Sequence, residues 1–225
     1  MVKKDIALLF DEISPRYDLS NTIISMGLEK IWRRHFLKQI DSSNCAILDA
    51  CCGSGTSTSQ IGRKAKKAKV FGIDISEKMI SIARDRYKSN KNLVFSIGDI
   101  KSLDLKSNSF DCITIVFGIR NVLERKNALE ELKRVVKDGG KIVILEFNHI
   151  KNGIFGHLFR FYLYRILPII GGMLTGKKGA YTYLSQSIRD FPDPGSFLLM
   201  MKRSGWRNIE QISLTGGICN IFIGY

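Results

Sequence analysis

The sequence AILDACCGSG at residues 46–55 joins a short apolar run to an acidic residue, Asp49, and to a Gly-x-Gly turn formed by Gly53 and Gly55. An apolar run of this length indicates a buried strand, and a helix is predicted to begin near Thr56. Glycine at a strand-to-helix turn lets the backbone approach a ligand closely. The stretch therefore predicts a ligand site outside the carboxyl end of a central strand, where open α/β sheets bind ligands.

Further strand candidates alternate with amphipathic helical stretches along the chain. They are KVFGIDI (69–75), LVFSIGD (93–99), FDCITIVFG (110–118) and KIVILEF (141–147). This alternation predicts an α/β, Rossmann-like fold, in which a seven-stranded, mostly parallel sheet carries helices on both faces. The last segments, 208–214 and 218–224, predict a C-terminal antiparallel hairpin.

The 225 residues, 44% of them hydrophobic and 25% charged, predict a single globular domain with four parts. These are an N-terminal helical cap (1–43), a ligand-binding core (44–150), a helical insertion (151–205) and the C-terminal strands (206–225). Two helices are predicted from apolar stripes. The cap stripe is Ile31, Trp32, Phe36 and Ile40, and the insertion stripe, in a helix at 154–167, is Phe155, Phe159, Tyr162 and Ile166.

Several functional classes are disfavoured by the composition. None of the five cysteines forms a Cys-x-x-Cys pair, so we expect reduced thiols in a cytoplasmic protein and no metal site. We expect no secretory signal, because residues 1–18 have neither a long apolar core nor an Ala-x-Ala-like cleavage site. We expect no membrane span, because the longest uncharged piece of the apolar insertion, 166–176, is about half of the roughly 20 residues that a bilayer helix needs. The net charge of +14 has no recognisable nucleic-acid-binding motif beside it, so no nucleic-acid partner is expected.

Two classes of ligand compete for the glycine turn. A dinucleotide site needs a third glycine where this chain has Thr58, and Asp49 would face a phosphate unfavourably. S-adenosylmethionine has a cationic sulfonium and no phosphate, so it fits better. Asp74, at the tip of the second strand, is expected to bind ribose hydroxyls. Asp99 and Ile100, after the third strand, are expected to contact adenine. The alternatives are a helix N-cap at Asp74 or Ser76 and a plain turn acid at Asp99.

The segment FDCITIVFGIRNV at residues 110–122 resembles the hallmark of the ubiquinone/menaquinone biosynthesis C-methyltransferase family. Other segments are similar to that family along essentially the whole chain. They are FDEISPRYD (10–18), Gly27 with WRR (32–34), GGKIVILEF (139–147), YLSQSIRDFP (183–192) and LTGGI (214–218). The chain departs from the family at Ser54, where Thr is commoner, at Val116, where Ser is frequent, and at Asp138, in place of the usual Pro.

The resemblance implies a class I methyltransferase fold with S-adenosylmethionine as cofactor. It implies transfer of a methyl group to a ring carbon of a polyprenylated quinol: demethylmenaquinol, a methoxy-polyprenyl-benzoquinol, or both. Together with the strand-tip acids it assigns eight residues to the cofactor. These are Asp49, Gly53, Ser54, Gly55, Asp74, Asp99, Ile100 and Val116.

Arg120 and Asn121, which follow the fourth strand, are expected to form the polar, catalytic half of the site. Arg is always cationic, so Arg120 would stabilise a quinolate or hold a water rather than act directly as a base. Tyr17, with Asp18, is expected to close over the substrate. The alternative for Arg120 is a structural ion pair with Glu124 or Glu146.

The insertion is also a candidate membrane contact. Residues 151–207 carry nine Lys and Arg against two Asp, which is half of the net charge in a quarter of the chain. Basic amphipathic helices lie at membrane interfaces. We therefore expect transient contact with the anionic inner face of the membrane. The sequence is also compatible with a homodimer. The alternatives are a methyltransferase for another lipid, a small phenol or RNA, and a lipid-binding protein that kept the fold without turnover.

Overall fold

The computed structural model describes residues 27–43, 46–148, 153–169 and 178–225, together with Thr22, Ser25 and Gly172. Seven strands form one sheet with the order β3-β2-β1-β4-β5-β7-β6. The strands are β1 (Ala46–Ala50), β2 (Lys69–Asp74), β3 (Leu93–Ile97), β4 (Phe110–Val116), β5 (Val136–Phe147), β6 (Glu210–Leu214) and β7 (Cys219–Gly224). The helices are α1 (Glu29–Lys38), α2 (Thr56–Lys64), α3 (Glu77–Arg86), α4 (Arg125–Val135), α5 (Gly153–Phe161), α6 (Lys178–Arg189) and α7 (Pro194–Arg203).

The first five strands are parallel, and β7 pairs antiparallel with both β5 and β6. The predicted sheet and C-terminal antiparallel pair are confirmed. β1 lies between β2 and β4, so the connections that leave β1 and β4 diverge from each other. Ligands of open α/β sheets bind in the crevice at such a point, outside the carboxyl ends of the strands.

The sheet is buried on both faces, which explains its near-continuous apolar strands. One apolar cluster joins α1, α2 and α3 to the sheet, and the other joins α4 and α7 to the opposite face. In the cap stripe Trp32, Phe36 and Ile40 are buried as predicted. Ile31 is 50% exposed, so its assignment to that stripe was wrong. It directly precedes Trp32, and neighbouring residues of a helix do not share a face.

The helical insertion differs from its predicted pattern in phase. α5 continues into a π-helical turn, Tyr162–Ile166. The buried stripe is Phe159, Leu163 and Leu167, rather than a stripe through Tyr162 and Ile166, which are only half-buried. The side chain of Phe155 lies outside the described residues. Wider π turns space the inward residues four apart, which accounts for the shift.

The C-terminal elements match their predictions with small changes in bounds. The apolar pattern of the sequence predicts helices at 183–189 and at 197–204, and α6 and α7 begin five and three residues earlier. For α7 the reason is local: Asp193 accepts a hydrogen bond from the backbone N–H of Ser196 (3.2 Å) and Pro194 occupies the first turn. A short 3-10 turn, Thr215–Gly217, joins β6 to β7.

Candidate active site

The turn after β1 has a backbone that strongly favours glycine. Gly53 and Gly55 have φ of 54° and 81°, in the left-handed region. A Cβ added to Gly55 would lie 2.9 Å from ring atoms of Phe95 and Tyr87, so there is no room for a side chain there. The turn therefore packs against β3 and α3 and presents its backbone at the carboxyl edge of the sheet.

Asp74, at the tip of β2, holds this turn in place. Its carboxylate accepts hydrogen bonds from the backbone N–H groups of Gly53 (2.8 Å) and Ser76 (3.0 Å). Ser76 is the N-cap of α3, because its hydroxyl accepts a hydrogen bond from the N–H of Met79 (3.1 Å). The capping role thus belongs to Ser76, and the carboxylate of Asp74 joins the glycine turn to the second strand.

A cavity opens where the strands end. The residues that line it include Asp74, Ile75, Asp99, Ile100, Asn121 and Leu123. Four sequence-predicted site residues thus meet in one wall, although they follow three different strands. This cavity is the candidate active site.

Asp99 and Ile100 form the part of the wall that follows β3. The carboxylate of Asp99 accepts a hydrogen bond from the N–H of Lys101 (3.1 Å), the local turn bond that the sequence left open as an alternative. Ile100 is buried and packs in the apolar cluster on the α4 side. Lys101 forms an ion pair with Glu124 beside the exposed Leu123, so charged and apolar groups alternate at this rim.

Asp49 does not belong to the cavity wall among the described residues. It is fully buried, and it accepts hydrogen bonds from the hydroxyls of Thr58 (2.6 Å) and Thr114 (2.9 Å). Burial raises its pKa to about 6, although the two threonines and the charge of Arg33 act in the opposite direction. Asp49 therefore joins β1, α2 and β4 beneath the glycine turn.

Ser54 and Val116 also lie outside the wall that the described residues form. Ser54 is buried in the glycine turn, and its hydroxyl accepts a hydrogen bond from Nη1 of Arg86 at 3.4 Å. Val116 is buried in the core at the end of β4. The next residue, Phe117, has a φ of 58°, an uncommon conformation for a bulky residue, which turns the chain sharply at the strand end.

Arg120 points into the core rather than into the cavity. Its Nη1 lies 2.7 Å from Oε1 of Glu146, and neither side chain is exposed. The same nitrogen donates to the carbonyl of Phe117, and the backbone N–H of Arg120 donates to Glu146 (3.1 Å). The structure thus contains the ion pair that the sequence offered as an alternative, with Glu146 rather than Glu124 as the partner. Its geometry anchors the 3-10 turn Ile119–Asn121 to β5.

Asn121 lines the cavity and is held by a residue to which the sequence assigned no role. The hydroxyl of Tyr183, on α6, donates a hydrogen bond to Oδ1 of Asn121 (3.2 Å). Burial raises the pKa of Tyr183, while Arg120 and Arg125 oppose that shift. Tyr183 belongs to one of the family-like segments, but only the packing of α6 on the β4 turn reveals its partner.

Arg125 is a second site residue that sequence reasoning missed. Its Nη2 and Nε donate to the carbonyls of Arg120 (2.7 Å) and Ile119 (3.2 Å), so it also supports the turn that carries Asn121. Burial lowers its pKa. Tyr17 and Asp18, which are expected to close over the substrate, lie outside the described residues.

The surface of the insertion carries a second stripe, which faces solvent. Leu158, Phe161 and Ile169 are 63%, 60% and 57% exposed, and the exposed Arg165 lies between them at helical spacing. The π-helical turn Tyr162–Ile166, which belongs to the same helix, is bound to α6, because the hydroxyl of Ser185 donates a hydrogen bond to the carbonyl of Leu163 (2.7 Å). In the described part of the chain, every helix is too short or too polar to cross a bilayer.

The similarity to known proteins covers both the sheet and the insertion. A model of the ubiE/COQ5 methyltransferase family matches residues 1–225. The chain is 38% identical over 224 residues to the "Ubiquinone/menaquinone biosynthesis C-methyltransferase UbiE" of Rickettsia prowazekii, with 96% of this chain and 90% of the relative covered. The protein of the same name from Geotalea daltonii is 36% identical over 221 residues, with 96% and 94% covered.

A solved structure has the same architecture. The crystal structure of a SAM dependent methyltransferase from Aquifex aeolicus superposes with a TM-score of 0.62, covering 85% of this chain and 88% of the other at 19% identity. At this identity the similarity concerns the fold. It confirms the predicted Rossmann-like architecture of class I methyltransferases.

Proposed function

This chain belongs to the ubiE/COQ5 methyltransferase family, and from that premise we propose that it methylates a ring carbon of a polyprenylated quinol in ubiquinone or menaquinone biosynthesis. It is an S-adenosylmethionine-dependent methyltransferase. The acceptors we propose are demethylmenaquinol and a methoxy-polyprenyl-benzoquinol, one or both of them.

The observation that carries the proposal is the convergence of Asp74, Asp99 and Asn121 on one cavity beside the glycine turn. The first two follow β2 and β3, where a nucleoside fits between carboxylates and the buried Ile100. Asn121 follows β4, on the other side of β1. One cavity thus offers acids that suit hydroxyl and amino groups at one end and a neutral amide at the other.

The residues present fit S-adenosylmethionine. Asp74 would hold the ribose hydroxyls, and Asp99 with Ile100 would hold the adenine. Gly53 and Gly55 would let the backbone of the turn approach the rest of the molecule, with Ser54 beside them. When bound, the cofactor supplies an electrophilic methyl group on a cationic sulfur. Asp49, beneath the turn, and Val116, in the core, would support this site from below.

On the acceptor side, the task of the protein is orientation. Ring carbon, methyl carbon and sulfur must be in line, and such positioning lowers the activation barrier by on the order of 7–11 kcal/mol. Because Tyr183 donates to Oδ1 of Asn121, the amide nitrogen Nδ2 is left to donate to a quinol oxygen. A donor at that oxygen stabilises the charge that develops as the hydroxyl loses its proton to a water molecule.

Arg120 acts in this proposal as a positioning residue. Its ion pair with Glu146 is neutral as a unit and lies behind the turn, so it fixes Asn121 rather than contacting the acceptor. Tyr17 is proposed to cover the acceptor from the N-terminal segment. The support for that role is the family-like segment in which Tyr17 stands.

We also propose peripheral contact of the insertion with the inner, anionic face of the membrane, where a polyprenyl tail resides. The support is the exposed stripe of Leu158, Phe161 and Ile169 with Arg165 among them. Apolar side chains flanked by cations suit the boundary between acyl chains and anionic head groups. The stripe connects to the site through Ser185 and then Tyr183, both on α6.

The test is methyl transfer by the purified protein to short-tailed, reduced acceptors. Labelled S-adenosylmethionine would be offered with demethylmenaquinol and with the methoxy-benzoquinol, and the products identified by mass. Label on a ring carbon of at least one quinol is expected. Label only on a small phenol, another lipid or RNA would contradict the proposed acceptor. Lipids extracted from a deletion strain would then show which demethylated quinone accumulates in the cell.

A further inference from the structure

Arg33, on α1, is a buried cation that lies near enough to Asp49 to lower the pKa of that carboxyl but forms no salt bridge with it. The residue is only 8% exposed to solvent. Nη1 donates to the hydroxyl of Ser57 (2.7 Å), and the guanidinium carbon lies 5.4 Å from the ring centroid of Phe117. Among the described residues no carboxylate forms a salt bridge with it. Burying a charge without a paired partner is costly, and a guanidinium has five N–H donors to satisfy.

The position of Arg33 relates it to the candidate active site. Ser57 lies in the first turn of α2, directly after the glycine turn, and Phe117 directly follows β4. The guanidinium therefore lies between the ends of β1 and β4, where the connections of the sheet diverge. Asp74 and Asp99 lie on the other side of the glycine turn, at the ends of β2 and β3.

The first turn of α2 adds a second feature at the same place. The helix begins after Gly55, and no side chain caps its N-terminus. Helix N-termini favour anions, because their first N–H groups have no partner within the helix. A negative group placed here would meet both these N–H groups and the guanidinium. Carboxylates suit this combination, because the planar fork of arginine binds both oxygens.

We propose that Arg33 binds the carboxylate of the amino-acid part of S-adenosylmethionine. This inference rests on the proposed function, because it assumes that the adenosyl part occupies the cavity at Asp74 and Asp99. The methionine part then runs along the glycine turn toward β4 and brings its carboxylate to Arg33. The carboxylate supplies the salt-bridge partner that Asp49, which acts on Arg33 only through its charge, does not.

Two probes separate this role from a structural one. S-adenosylhomocysteine contains the amino-acid carboxylate, and 5′-methylthioadenosine keeps the adenosine and the thioether but has no carboxylate. Calorimetry would measure the affinity of both for the wild type, Arg33→Met and Arg33→Lys. Arg33→Met is expected to weaken the affinity for S-adenosylhomocysteine by about 10- to 100-fold. It is expected to change the affinity for 5′-methylthioadenosine by no more than about twofold. For Arg33→Lys, which keeps the charge, the affinity for S-adenosylhomocysteine is expected to lie between those of the wild type and Arg33→Met.

The matched control is Arg34→Met, which removes the neighbouring, exposed arginine of the same helix and should leave both affinities unchanged. Equal weakening of both probes by Arg33→Met would overturn the inference, since it would show that Arg33 supports the site only through Ser57 and Phe117. Unchanged affinity for S-adenosylhomocysteine would also overturn it. If Arg33→Met does not fold, the same comparison is made with Arg33→Lys. Failure of the wild type to bind either probe would instead reject the proposed function.

Discussion

Arg120 and Glu146 form an ion pair of 2.7 Å from which solvent is excluded on both sides. Glu146 lies on β5, and Arg120 lies in the turn that follows β4, so the pair joins two strand ends by side chains. Through this pair the turn is held where Asn121 reaches the cavity. The ion pair of Arg120 thus helps to fix the position of Asn121, the next residue in the chain.

Removing one partner of this pair should be strongly destabilising. Arg120→Met leaves Glu146 buried and uncompensated, and we expect the free energy of unfolding to fall by about 3–5 kcal/mol. The double variant Arg120→Met/Glu146→Met should recover much of that loss, because no charge is left buried. Urea denaturation measures both. A single variant as stable as the wild type would show that the pair does not hold the turn.

Asp74 should be essential for cofactor binding. Asp74→Ala removes the proposed ribose ligand and the acceptor for the N–H of Gly53, so we expect the affinity for S-adenosylmethionine to fall at least about tenfold. Isothermal titration calorimetry checks this. Asp104→Ala, at an exposed acid after β3, is the control and should bind normally. Normal binding by Asp74→Ala would remove this residue from the cofactor site.

Tyr183 should affect turnover but not cofactor binding. Tyr183→Phe removes the hydroxyl that holds Asn121, and we expect kcat to fall about five- to tenfold with the affinity for S-adenosylmethionine unchanged. Tyr225→Phe, at the distant end of the chain, is the matched control.

A double-mutant cycle tests whether Tyr183 acts through Asn121. In an Asn121→Ala background, Tyr183→Phe should cause little further loss of kcat, because its partner is already absent. Losses that simply multiply would show that the two side chains act independently, and the proposed orientation of the amide would then be wrong.

Asp49 should make stability depend on pH. Burial raises its pKa from 3.8 to about 6, so the folded protein keeps a proton that the unfolded chain has already released between these values. The free energy of unfolding should therefore fall as pH rises from about 4 to about 7, by about 2 kcal/mol from this group, and level off at higher pH.

The variant Asp49→Asn isolates that contribution. Its amide oxygen still accepts from Thr58, and Thr114 can donate instead to the carbonyl of Leu48, which lies 3.3 Å away. Urea denaturation of wild type and variant between pH 4 and pH 7 should give curves whose difference changes by about 2 kcal/mol. Parallel curves would mean that Asp49 titrates at its ordinary value in the folded state.

The exposed stripe of the insertion should determine membrane contact. We expect flotation with anionic vesicles and less with neutral ones, because apolar insertion and charge act together. Leu158→Ser/Phe161→Ser should reduce flotation several-fold, whereas Ile31→Ser, at an equally exposed apolar residue of α1, should not. Absence of the wild type from both kinds of vesicle would reject peripheral contact.

Much of the fold was predictable because its signals are local. Apolar runs of five to seven residues predict β1 to β4. The glycines after β1 predict a turn that needs positive φ. That Asp74 and Asp99 lie in one cavity wall was predictable because parallel strands bring their carboxyl ends to one edge. The phase of the insertion was wrong, since a π-helical turn depends on packing rather than on spacing.

The order of residues along the chain was enough to determine the strand alternation, the glycine turn and the acids at the strand tips, because each depends on neighbours a few positions away. Tertiary packing alone decided which side chains meet: Arg120 with Glu146, Tyr183 with Asn121, and Arg33 with Ser57. These partners lie 26, 62 and 24 positions apart. Contacts at such distances exist only after the sheet has formed and its helices have packed, since burial then selects the partner of each charge and hydroxyl.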